Sequence, residues 1–259
     1  MLNLFLTDFK RFIKDKTFWV GLIVLVFYGF IGVRNNSCYD GVCEIIDGSS
    51  LLLGVPLAVI FFAVFFISFF IGSDYEEGTI RNKIIIGKKR KEIYFSNLLI
   101  SFLVITIYYG IYYLSIRIGI HYYKGTIDLD KVIFRYLLLD GYLATLVFGS
   151  LMVLVTMLFK SKPVSLLINL ISYGVSMFGS MFILTWFLNS KLVQSKEIRL
   201  MLELVPSIQL SLMPADYLSI VNYKIIGLGS LFWILIINGL GMLLFEVKDL
   251  KYDIKNGIA

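Results

Sequence analysis

LLLGVPLAVIFFAVFFISFFIG, residues 51–72, runs for 22 residues without a charge and with Ser68 as its one hydroxyl. A bilayer core about 30 Å thick takes roughly 20 apolar residues at 1.5 Å each, so this stretch is long enough to cross a membrane as a helix. Five further runs, at 17–33, 97–118, 136–159, 163–188 and 225–245, bring the count to six spans. The first is short and lies near the lower limit for spanning. None is read as carrying Lys, Arg, Asp or Glu in its interior. Arg34, Arg117 and Asp140 are assigned to span ends, where long side chains reach the headgroups.

Composition agrees with the spans. Of the 259 residues, 58% are hydrophobic and 16% charged, against about 25% charged in a soluble domain. Mean hydropathy is +0.84. A soluble enzyme and a secreted disulfide domain are excluded. The expected fold is all-α, a single polytopic transmembrane domain over residues 1–259.

The net charge of +6 is read through loop placement rather than as a nucleic-acid surface. With the N-terminus cytoplasmic, 15 of the 24 Lys and Arg residues fall in cytoplasmic segments. That bias predicts both termini inside a multi-pass protein of the cell membrane. Two cysteines and one histidine, His121 in an expected outer loop, leave almost no ligands for a Cys/His metal site, so no metal is assigned. Residues 1–16 form an expected interfacial helix. Leu2, Phe5, Leu6, Phe9, Phe12 and Ile13 make its apolar face, and Thr7, Asp8, Lys10, Arg11 and Lys14 a polar face toward anionic headgroups.

Between spans two and three lies Ser73-Asp74-Tyr75-Glu76-Glu77-Gly78-Thr79-Ile80-Arg81-Asn82-Lys83-Ile84-Ile85-Ile86-Gly87-Lys88-Lys89-Arg90. Thr79 is placed as a helix N-cap with acids upstream, and Gly87 as its stop. Ile80 and Ile84 share a face at i, i+4 and are expected to be offered to a partner, with Arg81, Lys83 and Arg90 as charges at the rim. An ordinary basic loop obeying the charge bias is the plainer alternative.

In the fifth span Ser165, Asn169, Ser172, Ser176 and Ser180 fall on one helical face. That face either packs within the bundle or meets a second subunit along the transport route. Cys38 and Cys43 share one outer loop around the turn-prone Asp40-Gly41, which predicts a disulfide, with two free thiols as the alternative. The 189–224 segment is too long for a plain connector and is expected to form short half-helices on the outer face, with Pro206 and Pro214 breaking helix there.

The run Glu76-Glu77-Gly78-Thr79-Ile80-Arg81-Asn82-Lys83, a short apolar stretch, then Gly87-Lys88-Lys89-Arg90 and a rising third span, resembles the ABC-2 type permeases of ABC transporters. The entry helix, six spans and long last outer segment are similar to that family as well. The resemblance implies that residues 76–90 are a cytoplasmic coupling helix docking into a separate ATPase, with Glu76, Glu77, Gly78, Thr79 and Arg90 matching the motif. It implies an ATPase subunit dimer, which binds ATP and Mg, and a second permease copy or paralogue as partners.

The chain has no Gly-x-x-x-x-Gly-Lys-Ser/Thr phosphate loop of its own, so it is read as a non-enzymatic exporter subunit with no cofactor. An uncharged interior suits an amphipathic or lipid-like cargo. Relatives in AT-rich Gram-positive genomes export, or confer immunity to, antimicrobial or cytolytic peptides. An ion-coupled secondary transporter or a channel-like protein is the competing class, and it calls for buried charge at mid-membrane.

Overall fold

The computed structural model describes residues 2–39, 42–43, 48–123, 131–188, 201, 203–212 and 223–247. Its helices are α1 (Leu2–Lys14), α2 (Lys16–Ser37), α3 (Gly48–Glu76), α4 (Thr79–Ile85), α5 (Arg90–Tyr122), α6 (Lys131–Leu158), α7 (Lys162–Leu188), α8 (Pro206–Ser211) and α9 (Tyr223–Val247). Cys38–Tyr39 (β1) and Val42–Cys43 (β2) pair antiparallel as a minimal hairpin. Six helices, α2, α3, α5, α6, α7 and α9, are long and apolar enough to cross a membrane. The fold is that of an all-α polytopic membrane protein.

The spanning helices extend past the apolar runs read from the sequence. At 1.5 Å per residue, the 33 residues of α5 make roughly 50 Å, longer than the bilayer interior is thick. Two span-end assignments change for the same reason. Because α6 begins at Lys131, Asp140 lies inside that span and is buried, not at its edge. His121 falls in the last turn of α5 and is exposed, rather than in a loop.

The bundle is built around α3 and α6, which pack on one another, with α9 and α5 against α6 and with α2 and α7 against α3. In α6, 67% of the spanning window is buried, against 11% in α7. Tyrosine and serine hydroxyls pin neighbouring helices by donating to main-chain carbonyls across the interfaces. Tyr108 reaches Phe18 O at 2.9 Å, Ser115 reaches Val26 O at 2.6 Å, Tyr109 reaches Leu138 O at 2.8 Å and Tyr75 reaches Met157 O at 2.6 Å. Gly21 makes the first of these feasible, since a Cβ there would stand 2.5 Å from the Tyr108 hydroxyl oxygen.

Buried amides do the remaining polar work. Asn169 Nδ2 donates to Ser68 Oγ at 2.9 Å and Thr156 Oγ1 at 3.0 Å, joining α7, α3 and α6. Asn238 Nδ2 donates to Ser150 Oγ at 2.9 Å, joining α9 to α6. In hydrocarbon such groups have no water to turn to, so each partner stabilises the interface. Within the expected half-helical segment, Pro206 opens α8 at a first-turn position, where its missing N–H costs nothing. Helix α8 packs on α7 and α6, with Pro206, Ile208, Gln209, Leu210 and Ser211 buried. Pro214 lies outside the described residues.

Helix α1 departs from the expected division of faces. Leu4, Asp8 and Phe12, spaced i, i+4, i+8, are its buried stripe, while Leu6 and Ile13 are exposed. Asp8 and Arg11, assigned to the headgroup side, instead turn into the bundle. The reason is that both find ionic partners there.

Candidate functional site

The break between α3 and α4 is two residues long. Glu77 N–H donates to Ser73 O at 2.9 Å and Gly78 N–H to Tyr75 O at 3.1 Å, and Gly78 takes the left-handed conformation with φ 68°. That reversal is cheap only for glycine. It makes Gly78 the N-cap and Thr79 the first helical residue, with no side-chain cap, which corrects the assignment of Thr79.

At the other end Gly87 has φ 88°. Its N–H donates to Ile84 O at 2.9 Å, and the N–H of Lys88 donates to Lys83 O at 3.1 Å. These two bonds make a Schellman stop, as the glycine implied. Helix α4 is therefore short, with both ends fixed.

Ile80 is 2% exposed and joins the core of the bundle, with Ile84 packed against it. The Ile80/Ile84 face thus points inward, opposite to the expectation. Ile85 at 71% and Ile86 at 77% exposure are the apolar side chains that α4 turns outward. Arg81 and Asn82 lie on the exposed side with them.

Lys83 is not a rim charge. Its Nζ donates to Asp8 Oδ1 at 2.8 Å and to Asp74 Oδ2 at 3.2 Å. Asp74, at the end of α3, also holds Arg11 Nη1 of α1, and Ser96 Oγ of α5 donates to Asp8 Oδ2 at 2.7 Å. Arg11 donates in addition to Phe70 O at 3.0 Å and stacks over the Phe70 ring at 3.9 Å. Two anions and two cations alternate in a charge-balanced quartet spanning α1, α3 and α4, with Asp8, Asp74 and Lys83 buried, Arg11 half-buried and α5 attached through Ser96. Burial holds the Lys83 ammonium below the usual lysine range, with Asp8 opposing that shift, and lowers the Arg11 guanidinium for the same reason.

The other motif residues surround this cluster without entering it. Glu76 pairs with Lys162 at 2.8 Å, tying α3 to the start of α7. Arg90 Nη1 donates to Glu246 O at 3.0 Å at the last turn of α9, a cation at the negative end of a helix. Glu77 and Arg81 are exposed.

The fifth-span stripe divides. Ser165, Asn169 and Ser180 are buried inside the chain, with Ser180 bonded to Ser211 of α8 at 2.9 Å. Ser172 and Ser176 line a cleft of about 50 Å³ between α6 and α7. A larger cavity of about 350 Å³ opens between α2, α3 and α7, lined by Tyr28, Gly54, Leu57, Ala58, Phe61, Phe62 and Tyr173. Cys38 and Cys43 are directly opposed in the β1–β2 register; the disulfide concerns side chains outside the described residues.

The sequence reading missed Asp8, Asp74 and Ser96 as site residues. A signal for the first was present: Leu4, omitted from the apolar face, shares its stripe with Asp8 and Phe12. No protein-family model matches the chain, and no curated protein matches it.

Proposed function

We propose that this chain is the permease subunit of an ATP-driven ABC exporter. It would pair with a second permease copy or paralogue and couple to an ATPase dimer that binds ATP and Mg, with both termini cytoplasmic in the cell membrane. Helix α4 carries this reading. It is a two-turn helix outside the spans, fixed at both ends and pinned from within by Lys83. It holds two isoleucines in the open where water would otherwise disfavour them. An exposed apolar pair on a rigid mount, flanked by Arg81 and Lys89, suits an apolar groove with an acidic rim on a partner. The 350 Å³ cavity, with Tyr28, Phe61, Phe62 and Tyr173 in its lining, supports an amphipathic or hydrophobic cargo such as an antimicrobial or cytolytic peptide.

The test is the Ile85→Asp/Ile86→Asp double variant. Both side chains already face solvent, so the bundle is expected to insert at normal levels, while an ATPase that co-purifies with the wild-type chain is lost. Unchanged co-purification overturns the reading. Ile80→Asp would be a poor probe, since it places a charge in the chain's own core.

One observation favours the ion-coupled class. Asp140 is 3% exposed within α6, with Oδ2 lacking a hydrogen-bond partner among the described residues and Oδ1 lying against Gly227 of α9. An acid inside a span is the feature that class requires.

A further inference from the structure

We propose that Lys83 is a positioning residue that locks α1 to α4, so that the two helices move as one body when α4 is displaced. This rests on the reading of α4 as the docking helix. The connection from α4 to the membrane spans through the main chain is weak in one direction. Gly78 breaks the helix between α3 and α4, leaving a two-residue turn that bends rather than pushes. Side chains supply the stiffer route. Lys83 holds Asp8 of α1 at 2.8 Å and Asp74 of α3 at 3.2 Å, and Asp8 in turn holds Ser96 of α5.

Asp8 is 3% exposed, Asp74 0% and Lys83 9%, so the pairs are shielded from salt and water, unlike the surface pair Lys91–Glu246. Separating a buried pair strands charge in a poor solvent, which is strongly unfavourable. A displacement of α4 therefore carries α1 with it before the pair opens. Helix α1 presents Leu6, Lys10, Ile13 and Lys14 outward, so a motion begun at Ile85 and Ile86 reaches the lipid interface through α1.

The experiment uses the full chain in lipid nanodiscs, in a Cys38→Ser/Cys43→Ser background, with spin labels at the exposed positions Lys10→Cys and Arg81→Cys. The wild-type quartet should give one narrow interlabel distance. The Asp8→Asn/Lys83→Met variant removes one charge of each sign and leaves the Arg11–Asp74 pair intact, so no unpaired charge is buried. It should lose the narrow peak, whereas Lys83→Arg with Asp8 in place should retain it. A narrow peak retained in the Asn/Met variant overturns the proposal.

In the ATPase-bound complex, ATP should shift both labels relative to a third on exposed Leu151 of α6, and the Asn/Met variant should keep the Arg81 shift while losing that of Lys10. Equal shifts at both positions in that variant also overturn it. Failure of the unlabelled chain, with Arg81 in place, to hold any ATPase complex would instead count against the permease reading, with the nanodisc result standing by itself.

Discussion

Asn169 illustrates what one side chain does inside this bundle. Its amide donates to Ser68 and Thr156 at once, while Thr156 Oγ1 donates back to Met152 O on its own helix at 2.7 Å. Asn169→Leu should cost about 1–2 kcal/mol, near the upper end for such bonds in lipid, because it removes two donated bonds at once. Ser172→Leu, on the exposed side of the same stripe, should leave stability nearly unchanged. Denaturant titration of the two variants in mixed micelles checks the contrast; equal losses would refute it. The sequence displayed the stripe but not its division, since five small polar residues at helical spacing look alike until a neighbour covers three of them. Asp8, Asp74 and Lys83 were harder still. Each looks like a solvated terminal charge, and only contacts across 75 and nine residues turn them into an interior cluster.

At the scale of an element, α4 was legible as a helix and illegible as a surface. Gly87 marked its end, and φ 88° shows why a glycine is required. Gly87→Val should cost about 1–2 kcal/mol through the left-handed backbone, with the last turn fraying. Hydrogen exchange at the Gly87-side amides, including Lys88 N–H, should speed up while exchange in α5 stays as it was; unchanged protection would show the stop to be made elsewhere. The face was misread because Ile80, Ile84, Ile85 and Ile86 leave no amphipathic contrast over two turns. What decides the inward side is Lys83, a charge that a periodicity argument places outside. Thr79 failed as a cap for a related reason: capping needs an extended residue before the helix, and the Gly78 reversal supplies none.

For the molecule as a whole, the six spans could be read directly because length and lack of charge are properties of each segment alone. Their order in space could not. That α6 lies at the centre and α7 at the rim depends on which hydroxyls and amides find partners. Asp140 is the point where the two competing functions diverge. Asp140→Asn should preserve ATP-driven export if α4 couples the chain to an ATPase, and should abolish transport if an ion is carried by that carboxyl. Transport in proteoliposomes with and without ATP separates them.

The ionic quartet also sets a timetable for synthesis. Lys83 follows Asp8 by 75 residues and Ser96 follows it by 88. At 5–20 residues per second, Asp8 waits roughly 4–15 s for its lysine to be made. During that interval the hydrophobic segments α2 and α3 are made while Asp8 still lacks its lysine. Closure of the cluster then registers, in a single event, that both segments have been threaded in the correct sense. A chain that inserted α3 backwards would carry Asp74 to the far end of the bundle, out of reach of Arg11 and Lys83.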